Sequence, residues 1–297
     1  MQAKRDTYQV ITDTIVAALE KCGPYERPWL GQTLTMPVNA TTGHEYRGTN
    51  ILMLWLAAKE AGYAANSWAT FKQWADKGAT VRKGEKGTPI IWFKMLDRKD
   101  ADSGEVDEDG RRIPCARLSW AFNAAQVDGY TADESRTEGD NQVSPIEQAD
   151  RLISASGAKA RHEGTQAFYR PSTDEIVMPP AHLFTGTSTS SPTEAYYSVK
   201  LHELTHWTGP RLAREFGKRF GDEAYAAEEL VAELGAAFLC AKLGIAAEPR
   251  ADHASYLASW IRVLKNDRKA FVTAASKASE AADYLLGFQH QQIQEAA

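Results

Sequence analysis

The pentad His202-Glu203-Leu204-Thr205-His206 constrains this chain more than any other stretch. Its H-E-x-x-H spacing carries meaning only on an α-helix, where residues four apart share a face and both imidazoles point the same way. The flanking residues supply that helix. Ser191-Pro192-Thr193-Glu194 offers a serine N-cap, a proline at the first helical position and a glutamate three residues after the cap, the pattern of a capping box. Gly209 and Pro210 close the segment, so the histidines are expected on the last two turns of a helix over Thr193–Trp207.

Two histidines leave a tetrahedral zinc ion short of a third protein ligand, and a carboxylate from a following helix is one common solution. Residues Ala227–Leu239, AEELVAELGAAFL, read as part of a helix over Asp222–Lys242 capped by Asp222. Glu229 and Glu233 are four apart on it, and carboxylates on an otherwise apolar helix are costly unless paired or metal-bound. Glu229 is expected as the third ligand, with Glu228 as the alternative, and Glu233 as the acceptor that fixes the tautomer of one histidine. Zn2+ is the expected cofactor, another divalent metal the alternative. Glu203 lies between the ligands and is expected as the general base of a metallopeptidase. Tyr225, His253 and Tyr256 stand as alternatives for the oxyanion donor. A closed structural zinc site usually takes four side chains, often cysteines, and Cys22, Cys115 and Cys240 are widely spaced with no C-x-x-C pairing.

At 297 residues the chain has room for two domains. The expected fold is α+β: residues 1–130 as one domain, 131–144 as a polar linker without periodicity, and 145–297 as a zinc metallopeptidase-like domain of small sheet plus helices. In the first domain helices are expected over Lys4–Lys21 and Thr49–Ala61, the second capped by Thr49 or Asn50, with Tyr25–Thr42 mostly loop. Thr88–Leu96 and Cys115–Phe122 read as an antiparallel hairpin. In the second, a helix over Pro145–Ser156 precedes strands at Lys159–His162, Gln166–Tyr169 and Glu175–Met178, and the final long helix is expected over Ala251–Ala281. Glu175–Met178 is expected either as an edge strand that takes extended substrate by strand addition or as a plain core strand. The longest apolar run, Ile51–Ala58, is too short to span a bilayer, and the polar N-terminus is not followed by a secretory apolar segment. A cytoplasmic protein without membrane partners is expected.

Net charge is -5, but it is unevenly spread. Residues 1–130 hold 17 Lys and Arg against 16 Asp and Glu, and seven of those acids fall in the run Asp97–Asp109. Six of the eight tryptophans, Trp29, Trp55, Trp68, Trp74, Trp92 and Trp120, interleave with Arg47, Lys72, Lys77, Arg82, Lys83 and Lys86. Lysines and arginines that track phosphates beside rings that stack bases are what sequence-tolerant single-strand binding requires. The plain alternative is that these rings are core and the glycine-punctuated loop Val81–Gly87 is merely solvated.

Pro37-Val38-Asn39, Thr42-Gly43-x-x-Tyr46-x-Gly48-x-Asn50, Trp68–Lys72, Val81–Gly87 and Phe122-Asn123-x-x-Gln126 in the first half, with Leu201–Gly209 and Ala227–Gly235 in the second, form a set of motifs. In them both halves of the chain resemble the ArdC antirestriction family of conjugative plasmids. The resemblance implies an N-terminal single-stranded-DNA-binding domain shared with TraC-like primases and a C-terminal metallopeptidase domain similar to the SprT/Spartan proteases. From the interleaved rings and cations, Arg47, Trp68, Lys72, Arg82, Lys83 and Lys86 are the expected DNA contacts. The implied partners are single-stranded DNA and a protein substrate, DNA-bound or restriction-related; the implied role is protection of incoming plasmid DNA. A protein that shields single-stranded DNA without proteolysis, its metal structural or regulatory, is the rival expectation.

Overall fold

The computed structural model describes residues 6–21, 34–96, 113–131, 145–187, 190–216, 223–246 and 254–295. Helix α1 (Thr7–Glu20) starts on Asp6, whose side chain accepts from Tyr8 N, and buries Ile11, Ile15 and Leu19 on one stripe. After β1 (Val38–Asn39) comes α2 (Thr49–Ala61), which ends on Gly62 in the left-handed region. Neither Thr49 nor Asn50 caps α2; Gly48, at φ 56°, holds that position. Asn50 instead exchanges two 2.8 Å hydrogen bonds with the backbone N–H and carbonyl of Ile91.

Ile91 belongs to the edge of a mixed four-stranded sheet ordered β1, β2 (Ser67–Thr70), β5 (Ile113–Asn123), β4 (Thr88–Leu96). The expected hairpin is its β4–β5 pair, Thr88 opposite Ala121 through Leu96 opposite Ile113. Asn50 therefore satisfies ladder groups that an open edge would leave to other chains. Short α3 (Phe71–Asp76) follows β2 directly through a Thr70–Gln73 capping box, and β3 (Thr80–Val81) pairs with β6 (Val127–Asp128). The acidic run 97–109 and, beyond Thr131, the linker expected over 131–144 lie outside the described residues.

Helix α4 (Pro145–Ser156) precedes a three-stranded sheet ordered β7 (Lys159–His162), β9 (Glu175–Met178), β8 (Phe168–Arg170). Strand β9 is central, parallel to β7 and antiparallel to β8, with Ile176, Val177 and Met178 buried. The edge-strand expectation for Glu175–Met178 is thus overturned: both ladder faces of β9 are occupied, and the free edges belong to β7 and β8. Helices α5 (Pro192–Trp207) and α6 (Glu223–Leu243) pack on one another.

The expected single helix over Ala251–Ala281 is two, α7 (Ala254–Asn266) and α8 (Ala270–Glu295). Asp267 makes the break, its carboxylate accepting from Lys269 N at 2.8 Å, an Asx turn that competes with helix continuation. One buried cluster contains Ile11, Ile15 and Leu19 of α1, Leu52 of α2, Leu234 and Phe238 of α6 and Ala278 of α8. Core packing therefore runs between N-terminal and C-terminal elements. Among the described residues no helix is long and apolar enough to cross a membrane.

Candidate metal centre

Ser191 begins α5 as the sequence indicates, its hydroxyl accepting from Glu194 N at 3.2 Å while Glu194 returns a bond to Ser191 N at 2.8 Å. Glu194 also accepts from Ala246 N, tying the start of α5 to the end of α6. At the other end of α5, His202 and His206 face the glutamates of α6, and His202, Glu203 and His206 are 2%, 1% and 8% exposed.

Close approach of the two helices has a steric basis. Gly235 of α6 lies against Thr205, and a Cβ there would come within 2.6 Å of Thr205 Cγ2 and 2.9 Å of its Oγ1. The missing side chain lets the glutamates of α6 reach the histidines of α5. Glu229 spans both rings: its Oε2 lies 3.5 Å from His202 Nε2 and its Oε1 3.5 Å from His206 Nε2. Ligand atoms of His202, His206 and Glu229 all fall within 4.8 Å of one another, a spacing that fits one ion held by all three.

The outer ring nitrogens meet other carboxylates. His202 Nδ1 is 3.8 Å from Glu233 Oε2, and His206 Nδ1 is 3.1 Å from Glu228 Oε1. Glu228 is the residue that sequence reasoning left as an alternative ligand. Here it stands behind His206, paired with buried Arg214. Arg214 was missed altogether; the available signal was three carboxylates on an apolar helix, more negative charge than one histidine pair and one ion would balance.

Burial opposes a charge on His206, but Glu229 and then Glu228 outweigh it and push its pKa up to about 10. Burial likewise opposes ionised Glu229, yet His206 and His202 hold its carboxyl well below the usual range. Tyr225, one of the oxyanion alternatives, is half-buried at the start of α6, whereas His253 and the Tyr256 side chain lie outside the described residues. Cys240 is buried and Cys115 half-buried, both as free thiols.

The expected DNA contacts fare unevenly. Trp68 is 1% exposed and packs with Leu54, Ile90 and Ala121, so its ring is a core element and not, as expected, a platform for a base. Arg47 ion-pairs with Asp283 of α8. Arg82 is engaged by Glu85, Asp128 and the Ala125 carbonyl. Lys72, Lys83 and Lys86 are exposed. Trp55 and Trp74 are core, while Trp92 and Trp120 are about half exposed.

Comparison with known proteins adds to this geometry. A model of a zincin-like metallopeptidase family matches residues 147–277, and one for the N-terminal domain of anti-restriction factor ArdC matches residues 5–122. The chain is 44% identical over 293 residues to the uncharacterized protein y4eC of Sinorhizobium fredii (strain NBRC 101917 / NGR234), covering 96% of this chain and 92% of that one. It is 36% identical over 313 residues to DNA primase TraC of Escherichia coli, covering 99% of this chain but only 21% of TraC. The metal-free crystal structure of the antirestriction ArdC protein from the R388 plasmid is similar at TM-score 0.77 and 37% identity, over 96% of this chain and 98% of that one. The Mn(II)-bound structure of the same protein gives TM-score 0.76 at 36% identity, over 95% and 98%.

Proposed function

This chain belongs to the ArdC antirestriction family, and from that premise we propose that it binds single-stranded DNA through residues 1–130 and carries a zinc-dependent metallopeptidase site in residues 145–297. The role that follows is protection of incoming plasmid DNA from host restriction during conjugation, in the cytoplasm of the receiving cell. What carries the peptidase half is the convergence of His202, His206 and Glu229 within 4.8 Å. The DNA half is supported by the likeness to part of a DNA primase and by the exposed lysines of the N-terminal half.

In this reading His202, His206 and Glu229 hold the ion, and Glu233 and Glu228 orient the two imidazoles. Bound zinc would supply Lewis-acid polarisation of a scissile carbonyl and a lowered pKa for water. Glu203 accepts the proton from the attacking water and passes it to the leaving amine. Binding single-stranded DNA raises the local concentration of proteins on the same strand without new contacts at the site.

One observation favours a second reading. Glu203 is 1% exposed and His202 2%, a degree of burial that suits a structural or regulatory metal in a non-proteolytic DNA-shielding protein. Metal titration of the full chain separates the ligand assignment from the chemistry. One zinc per chain is expected in the wild type, with tight binding lost in His202→Ala, His206→Ala and Glu229→Ala and retained in Glu203→Ala. Retention of tight binding in Glu229→Ala would reassign the third ligand.

A further inference from the structure

We infer that Phe71, Phe122 and Trp120, with Lys72 and Lys86 beside them, form the surface on which a single strand of DNA lies, bases on the rings and phosphates on the lysines. This rests on the reading that the chain binds single-stranded DNA and names where. Trp120 and Phe122 are two apart on β5, so their side chains share one face of the sheet at a spacing of about 6.6 Å. Phe71, at the start of α3, meets Phe122 edge-on with ring centroids 6.4 Å apart. Phe71 is 60% exposed and Trp120 50%, while Phe122 is half-buried against the cluster of Ala69, Trp74 and Val127 and anchors the patch to the fold.

Gly87 joins the rings to the basic loop. A Cβ there would lie 2.7 Å from Trp120 Cβ and 3.0 Å from Phe122 Cζ, so the loop passes against both residues only because position 87 has no side chain. The loop is held from behind. Gln126 Nε2 donates to Glu85 Oε2 and to the Lys86 carbonyl, each at 3.0 Å, and Arg82 binds Glu85 and the Ala125 carbonyl. Glu85 and Arg82 are thereby spent on each other and on the fold. Among the described residues Lys72, Lys83 and Lys86 make no ion pair.

Exposed rings with exposed ammonium groups beside them complement unstacked bases on a phosphodiester chain. Duplex DNA keeps its bases stacked internally and gains little from such rings, and an apolar protein segment gains nothing from the lysines. The surface therefore fits single-stranded DNA.

The test is fluorescence anisotropy of a labelled oligothymidylate with the full-length protein over a range of salt. Trp120→Ala and Phe71→Ala are each expected to weaken binding about tenfold, and Trp120→Phe to retain most of it. Lys72→Ala and Lys86→Ala should each flatten the log–log salt slope by about 0.7. Trp92→Ala serves as the control: it removes a half-exposed ring three residues from Pro89, the cross-strand partner of Trp120, and hence on the opposite face, and should bind as the wild type does. Unchanged melting temperatures separate lost contact from lost fold, and Phe71→Ala, at the more exposed position, carries the test if Trp120→Ala unfolds. Wild-type affinity in both ring variants would overturn the proposal while leaving single-strand binding elsewhere intact. No binding by the wild type would overturn the DNA-binding reading itself, and this surface with it.

Discussion

Arg214 grips Glu228 in a two-pronged contact, Nε to Oε2 and Nη2 to Oε1, both at 3.0 Å, with the two side chains buried. The same guanidinium donates to Thr208 Oγ1 at 2.8 Å and to the Thr205 carbonyl at 2.7 Å, so the segment after α5 folds back onto the helix that bears the histidines. Burial alone would raise the Glu228 pKa, but His206 and Arg214 lower it below the usual carboxylate range. Glu228 thus stays ionised and accepts from His206 Nδ1, which leaves Nε2 facing Glu229.

Removing Arg214 should therefore damage metal binding from a distance. Arg214→Met leaves Glu228 as a buried carboxylate without its fork, an arrangement that costs about 3–5 kcal/mol of stability. Zinc affinity, measured by chelator competition, should fall about 10- to 100-fold as His206 loses its fixed orientation. Arg214→Lys keeps the charge but not the planar fork and should recover only part of both. Unchanged zinc affinity in Arg214→Met would show that Glu228 needs no support.

Gly235 tests the approach of α5 to α6. In a helix interior, replacing glycine by alanine ordinarily gains about 1 kcal/mol. Here the added Cβ would sit 2.6 Å from Thr205 Cγ2, and overpacking costs about 1–3 kcal/mol, so the clash is expected to win. Urea denaturation should find Gly235→Ala destabilised and Gly235→Val more so. Thr205→Ser, which deletes the clashing methyl, should restore part of the loss in Gly235→Ala. Additive effects of the two substitutions would mean that they do not meet.

Glu194 makes the start of α5 sensitive to acid. Its carboxyl lies below the usual range because Ser191 N, the Ser191 hydroxyl and Ala246 N stabilise the charged form against partial burial. A depressed folded-state pKa contributes stability above the unfolded value near 4.5 that is lost as pH falls through the folded one. Melting temperature followed from pH 7 to pH 3 should drop more steeply in the wild type than in Glu194→Gln, which starts lower. Parallel curves would remove Glu194 from the acid response.

Much of this was legible because local chemistry and global packing agree. Ser191-Pro192-x-Glu194 specifies the beginning of α5 by capping alone, and the four-residue spacings of His202 with His206 and Glu229 with Glu233 place their faces by helical geometry. Order in a sheet is set by long-range pairing, so three short strands could be seen near Lys159–Met178 but not that the last would lie between the other two. Trp68 was misjudged because composition does not distinguish a ring stacked on a ligand from one packed under α2. For Arg214 the excess of carboxylates on α6 calls for a cation but does not name it, because its partner Glu228 lies 14 residues away, outside any helical period.

The central claim is that this site cleaves proteins held on single-stranded DNA. Its most direct measurement is cleavage of a protein bound to a single-stranded oligonucleotide by zinc-loaded wild type and by Glu203→Ala, with DNA and zinc binding measured on the same samples. The expected result is cleavage by the wild type alone, a loss of at least about 100-fold in Glu203→Ala, and equal DNA and zinc binding in both. Equal cleavage by the two, or none by either while both hold zinc and DNA, would contradict it.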